Sequence, residues 1–296
     1  MFFRDRFGSI TKSLPSTYWI LWIGTVINRL GGFVIPFLTL YLTSQRNISP
    51  SRAAFMVALF GAGSFLSQLS GGEMTDRLGR RPVMLLSFFI TPLAIIILGL
   101  AQAIWLISLM TLLAGYFTDL YRPAVNASIA DLVPSEDRTR AFGYLYWAIN
   151  LGAALAPILA GFMAHYNYFL LFLGDAVTTF IFGLLVFRRI PETQPIEAIH
   201  AARVPFANRL HQLRGEPVLI MFSLLALVFG TIYMQGNVTL PLDMQAKGFF
   251  PDDYGLAIAV NGALIVLITL QLSKLVSRWP RFGAMAFAGF LLGAGF

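Results

Sequence analysis

Residues Gly71–Arg81 read GGEMTDRLGRR, and five of these eleven side chains are charged. The chain around them is the opposite in character. Apolar runs stand on both sides, Ala53–Gly71 before and Pro82–Ala101 after, and only 12% of the 296 residues are charged at all. A charged turn wedged between two apolar runs is what a connection between two membrane spans looks like, because each run is long enough to cross the ~30 Å hydrocarbon core as a helix.

Working outward, the same pattern recurs along the chain. Hydrophobic residues make up 57%, with 27 Phe and a mean hydropathy of +0.73. Soluble domains carry about 25% charge, and half of that leaves too little polar surface to face water. The apolar runs lie at Tyr18–Tyr41, Ala53–Gly71, Pro82–Ala101, Trp105–Ala130, Ala141–His165, Tyr168–Phe187, Val218–Leu240 and Tyr254–Leu275, with a ninth from Phe282 to Phe296. In lipid every backbone amide needs a partner within its own segment, so these runs predict helices. The predicted fold class is an all-α integral membrane protein.

The basic residues give the orientation. With the N-terminus cytoplasmic, sixteen Lys and Arg fall on the cytoplasmic side, and only Arg46, Arg52 and Lys247 on the other. The positive-inside rule selects this arrangement. It also accounts for the net charge of +7 without a nucleic-acid partner. The chain has no Cys, and its three His (His165, His200, His211) are scattered, so thiol chemistry and a metal centre are not expected. Neither a Walker A loop nor a nucleophile with an adjacent base is present, which argues against an ATP-driven pump and against an enzyme.

Repeats set the domain plan. Sliding the chain by 201 residues lays Ala53–Arg80 over Tyr254–Arg281, with seven of 28 positions identical, among them Gly61 with Gly262, Arg77 with Arg278 and Arg80 with Arg281. This predicts a six-helix bundle over residues 1–190, a cytoplasmic loop over 191–216 and a second bundle over 217–296 that ends after about two and a half helices. The loop, from Pro205 on, reads either as a surface-lying amphipathic helix or as a solvated linker.

Gly72-x-Met74-Thr75-Asp76-Arg77-x-Gly79-Arg80-Arg81 resembles the loop-two signature of the major facilitator superfamily. The resemblance implies that these residues act as a conformational latch, with ion pairs made in one state and broken in another. The glycines are expected to allow a tight connection, with Gly72, Asp76, Gly79, Arg80 and Arg81 all in it. A second stretch, Gly143-x8-Gly152-x3-Ala156-Pro157-x2-Ala160-Gly161, looks like the superfamily's antiporter motif, with Ala at 156 and 160 where Gly is usual. Small residues at such intervals let helices approach closely, and Pro157 is expected to bend or loosen its helix.

Ionisable residues inside a span cost at least ~2.5–3.5 kcal/mol at mid-helix, so they usually face a cavity. Four qualify: Arg29, Asp119, Arg122 and Asp175. Asp119 and Arg122 share a helix face and can pair locally, while Arg29 is long enough to reach Asp119 from the first span. Asp175 lies near the outer edge, where water is an available partner. Each reads either as part of a proton-coupling site or as a structural ion pair. Arg122 is similar to the arginine of the superfamily's helix-four proton motif, although Val125-Asn126 stands where a glutamine–glycine pair is usual. Asn28, Gln235 and Asn237 are candidate cavity-lining polar groups.

The resemblance implies a transporter of the cytoplasmic membrane, working by alternating access, with a small-molecule substrate and protons as partners, the lipid bilayer as surroundings, and no cofactor or obligate protein partner. Proton-coupled efflux of a drug or metabolite is the leading expectation. An importer of the same fold and a non-transporting fragment are the alternatives.

Overall fold

The first apolar run does not form one helix. In a computed structural model of the protein, which describes residues 14–195, 215–276 and 279–294, it splits into α1 (Ser16–Leu30) and α2 (Val34–Leu40), and α2 runs on through a π-helical turn, Tyr41–Gln45. Gly31-Gly32-Phe33 lies between them. A side chain at Gly31 would strike Thr178, whose Oγ1 lies 1.8 Å from where a Cβ would stand, so only glycine lets the break nest against the sixth span.

The remaining elements are α3 (Pro50–Leu78), α4 (Arg80–Leu100), α5 (Ile104–Leu132), α6 (Ser135–Tyr166), α7 (Phe169–Arg189), α8 (Pro217–Ala246), α9 (Pro251–Val276) and α10 (Arg281–Ala294). Among the described residues seven helices, counting α1 and α2 as one, are long and apolar enough to cross a bilayer. The up-and-down order places Arg77, Arg80, Arg81, Arg138, Arg140, Arg188 and Arg189 at one end of the bundle, with Arg46, Arg52 and Lys247 at the other. We call these the basic end and the outer end. Arg4, Arg6 and Lys12, the loop helix expected after Pro205, and Arg278 of the repeat lie outside the described residues.

The connection expected over 72–81 is far shorter than its glycines suggest. α3 stays helical to Leu78, and Gly79 alone joins it to α4. The physical reason is local: Glu73–Arg77 is an i,i+4 pair within the last turns of α3, while Asp76 pairs across the Gly79 break with Arg80, the first residue of α4. Gly72 is an ordinary helical residue with open space where a Cβ would be. α6 likewise continues through Pro157 to Tyr166.

Close helix contacts use glycine. A Cβ on Gly63 would sit 2.1 Å from the Leu112 carbonyl oxygen, and one on Gly115 2.1 Å from that of Phe60, so α3 and α5 touch backbone to backbone. The apolar interior forms two separate clusters. One, at the outer end, holds Phe37, Leu38, Leu98, Ile107, Phe172 and Tyr254. The other, at the basic end, holds Tyr18, Leu21, Met84, Phe88, Leu120 and Phe182. Between the two, the first, fifth and seventh helices carry polar residues instead.

Among the described residues α8 and α9 meet the first six spans from the outer end to mid-depth, where a Cβ on Gly262 would lie 2.4 Å from Ala154 Cα. Thr39 donates to the Asn237 carbonyl at 3.1 Å, Thr43 to Gln245 Oε1 at 3.1 Å, and His165 Nδ1 lies 3.3 Å from Asp252 Oδ1. α6 and α9 interlock through glycine, since a Cβ on Gly255 would lie 2.4 Å from the Pro157 oxygen. At the basic end, the first turns of α8 are exposed.

Candidate functional site

All four intramembrane charges converge in the gap between the two apolar clusters. A cavity of about 210 Å³ is lined there by Asn28 and Arg29 from α1, Asp119 and Arg122 from α5, and Asp175 from α7. A second hollow of about 130 Å³ continues toward the basic end past Thr25, Tyr121, Asn126 and Ile149. Arg29 and Arg122 line both, so the two guanidinium groups stand at the waist between them.

The partners differ from the expected ones. Asp119, only 6% exposed, pairs with Arg122 at 2.7 Å and accepts a hydrogen bond from Ser64 of α3. Arg29 does not reach it. Its Nη2 donates instead to the Tyr121 hydroxyl at 2.7 Å, with the guanidinium 5.9 Å from that ring. One turn of α5 explains the choice: Arg122 is on Asp119's own face, three residues on. Tyr121 passes the chain of bonds to Asn28 Oδ1 at 3.2 Å, and Asn28 Nδ2 donates to Thr179 at 2.9 Å. Thr179 reaches Asp175 Oδ1 at 3.5 Å.

Asp175 is 8% exposed, so it is buried rather than facing water as its depth suggested. Its Oδ2 accepts the backbone N–H of Val34 at 3.3 Å. That amide opens α2 and has no carbonyl of its own helix to bond, because the chain breaks at Gly31–Phe33. A carboxylate at a helix N-terminus also meets the positive end of the helix dipole. The broken span is thus stitched by a side chain from another helix, as irregular backbone at membrane depth requires.

Gly152, from the antiporter-like stretch, belongs to this site. A Cβ there would lie 2.4 Å from Arg29 Cβ and 2.7 Å from the Arg29 carbonyl carbon, so α6 seats Arg29 by lacking a side chain. Gly161 and Pro157 face α9 instead, at Asp252 and Gly255, and Gly143 meets open space. Gln235 and Asn237 on α8 are half-buried, bond within their own helix and line neither hollow.

The cluster at the basic end centres on Arg80, 7% exposed. It reaches Asp76 Oδ1 and Asp131 Oδ2, both at 3.2 Å, and the Thr75 carbonyl at 3.1 Å. Arg77 pairs with Glu73, and Arg81 donates to the Phe187 carbonyl at 2.8 Å. Gly79 adopts φ 101°, ψ 162°, a conformation open essentially to glycine alone. Glu192, just beyond α7, caps the helix that starts after it: its two oxygens accept the N–H groups of Arg80 at 3.0 Å and Arg81 at 3.1 Å. A Cβ on Gly79 would stand 2.5 Å from Glu192 Oε2. Sequence reasoning missed Glu192, Asp131 and Ser64. The first lies in a polar segment with no periodicity, and the other two are single polar residues whose partners come from distant helices.

The family model described as the Major Facilitator Superfamily matches residues 21–296, which is nearly the whole described fold. The chain belongs to the major facilitator superfamily. Among relatives, the MFS-type transporter YqjV of Bacillus subtilis is 26% identical over 263 residues, covering 87% of this chain and 64% of the relative. Multidrug resistance protein 2 of Bacillus subtilis is 25% identical, over 83% of this chain and 63% of its own length. A Na(+), Li(+), K(+)/H(+) antiporter of Planococcus maritimus is 23% identical, over 88% and 68%. The chain therefore spans about three-fifths to two-thirds of the length of these relatives. A crystal structure of the peptide transporter POT in complex with sulfate superposes with a TM-score of 0.70 at 16% identity, covering 92% of this chain and 72% of that one. The likeness is one of fold. The protein is a multi-pass membrane protein of a transporter family, not an enzyme.

Proposed function

We propose that this chain carries out proton-coupled efflux of a small molecule by alternating access, with Asp119 as the proton-linked group. The observation that carries the reading is the meeting of Arg29, Asp119, Arg122 and Asp175 on one cavity between two apolar clusters. A carboxylate ion-paired to an arginine at that depth has two ways to stay affordable, pairing or protonation. Proton uptake by Asp119 would release Arg122 from its ion pair. Several relatives are named for drug resistance, which supports export.

In this reading residues 1–190 and 217–296 form two bundles that rock about the site. The described contacts between them run from the outer end to mid-depth, at Gly262 and Ala154, and we take the basic end as the cytoplasmic one, together with the N-terminus. The Asp76–Arg80 cluster, with Arg77 and Arg81, latches that end when it closes.

The test is transport by the full chain in liposomes holding an imposed pH gradient, with cationic drugs added outside. The expected result is drug-dependent dissipation of the gradient that drops to background in Asp119→Asn, while drug binding persists. Dissipation that survives in Asp119→Asn overturns the proton assignment. Orientation is checked separately: the chain lacks Cys, so a cysteine introduced at Glu136 should react only from the cytoplasmic side.

A further inference from the structure

Among the described residues the outer end holds three Lys or Arg, and two of them, Arg46 and Arg52, line the same hollow of about 500 Å³ together with Ser49, Gln102 and Ile104. No carboxylate lines it. Local backbone brings them together: the chain leaves the π-helical turn, bends at Asn47 in the left-handed region at φ 51°, and starts α3 at once. Arg46 is half-buried and held in place by neutral acceptors. Its Nε donates to the Tyr41 hydroxyl at 2.7 Å and its Nη2 to the Gly99 carbonyl at 2.8 Å, which fixes the guanidinium 5.3 Å from the Tyr41 ring centroid with no carboxylate paired to it among the described residues. Arg52 is exposed and makes no ion pair or hydrogen bond among the described residues. It lies in the first turn of a 29-residue helix, whose dipole adds positive potential at that spot. Trp105, 68% exposed, follows directly on the lining residue Ile104, and such a tryptophan sits at the level of lipid headgroups.

We propose that this hollow binds a phosphate group, with Arg46 as the fixed donor and Arg52 as the mobile one. Arginine suits the task because its planar fork matches phosphate oxygens and keeps its charge at any working pH. The phosphate comes either from the headgroup of an anionic phospholipid in the outer leaflet or from the free ion in solution. The site is separate from the charged cavity inside the bundle and does not depend on its role.

The experiment uses the full chain in neutral detergent. Retained lipid is counted by native mass spectrometry after addition of phosphatidylglycerol or phosphatidylcholine, with and without inorganic phosphate. Arg52→Gln is the main variant, because its side chain supports no other contact. Arg189→Gln removes one charge at the basic end and serves as the matched control. The expected result is preferential retention of phosphatidylglycerol, reduced roughly fivefold in Arg52→Gln, about the effect of losing one basic residue near a headgroup. Arg189→Gln should leave most of it. Insensitivity to inorganic phosphate assigns the site to lipid. Saturable phosphate binding that is lost in Arg52→Gln, without lipid preference, assigns it to the free ion. Arg52→Gln behaving like Arg189→Gln toward both probes overturns the proposal.

Discussion

Two clusters of arginine and carboxylate organise this protein, and they obey different electrostatics. At the basic end Arg80 is buried between Asp131, 18% exposed, and Asp76, 58% exposed, and water and salt can compete for the Asp76 pair. Such contacts are worth about 0–1 kcal/mol and weaken with ionic strength. In the middle of the bundle, Asp119 and Asp175 are nearly buried on the wall of a cavity, while Arg122, the partner of Asp119, is 45% exposed. There a charge cannot simply be left alone, because an unpaired buried ion costs several kcal/mol. The Asp76 pair is therefore open to screening by salt, whereas the central carboxylates need a compensating partner. In both, a signature glycine is required by its surroundings while a second glycine of the same signature is not. That contrast gives the sharpest tests.

The largest effect is expected at Gly79. Gly79→Ala forces a side chain into a glycine-only conformation and against Glu192, at a cost of about 3 kcal/mol. Gly72→Ala, seven residues earlier in open helix, should instead stabilise by about 0.5–1 kcal/mol. Apparent unfolding midpoints in one fixed detergent must therefore move in opposite directions for the two variants. A parallel shift breaks the comparison.

Next comes Gly152→Ala, which overpacks the backbone of Arg29 and should cost about 2–3 kcal/mol and most of the transport signal. Gly143→Ala has open space and should transport at the parental rate. Equal losses in both would mean that the glycine spacing acts through something other than the seat of Arg29.

Asp175 follows. Asp175→Leu strands the Val34 amide and should cost about 1–2 kcal/mol, whereas Asp175→Asn keeps an oxygen acceptor and should recover most of that stability. If Asn is as damaging as Leu, the carboxylate's charge matters more than its hydrogen bond. The smallest change belongs to Arg77→Ala, which loses an exposed i,i+4 pair with Glu73 and should cost about 0.5 kcal/mol, less in high salt.

The same physics decides what was legible in the sequence. Spans and their alternation were readable because hydropathy and the placement of Lys and Arg are properties of single segments. The four intramembrane charges stood out because lipid makes each of them costly, and all four do line one cavity. Partner choice was another matter. Arg29 bonds Tyr121, not Asp119, and Asp175 bonds a backbone amide freed by a helix break. That break was hidden because Gly31-Gly32 sits inside an unbroken apolar run. Gly72 looked like turn chemistry, yet the helix runs on past it, with the Glu73–Arg77 pair spanning its last turns. Glu192 acts at a helix start 111 and 112 residues earlier in the chain, a relation that no local pattern records.

The divided first span has a mechanical consequence. α1 is seated on α6 at Gly152, while α2 and the turn after it hold α8 through Thr39 and Thr43. One apolar span thus has its first half seated on α6 and its second half in contact with α8 as well as with the outer apolar cluster, with a glycine break between. The two halves meet at Gly31–Phe33, and the Val34 amide that opens the second half is held by Asp175, so this carboxylate ties the broken joint to a third helix.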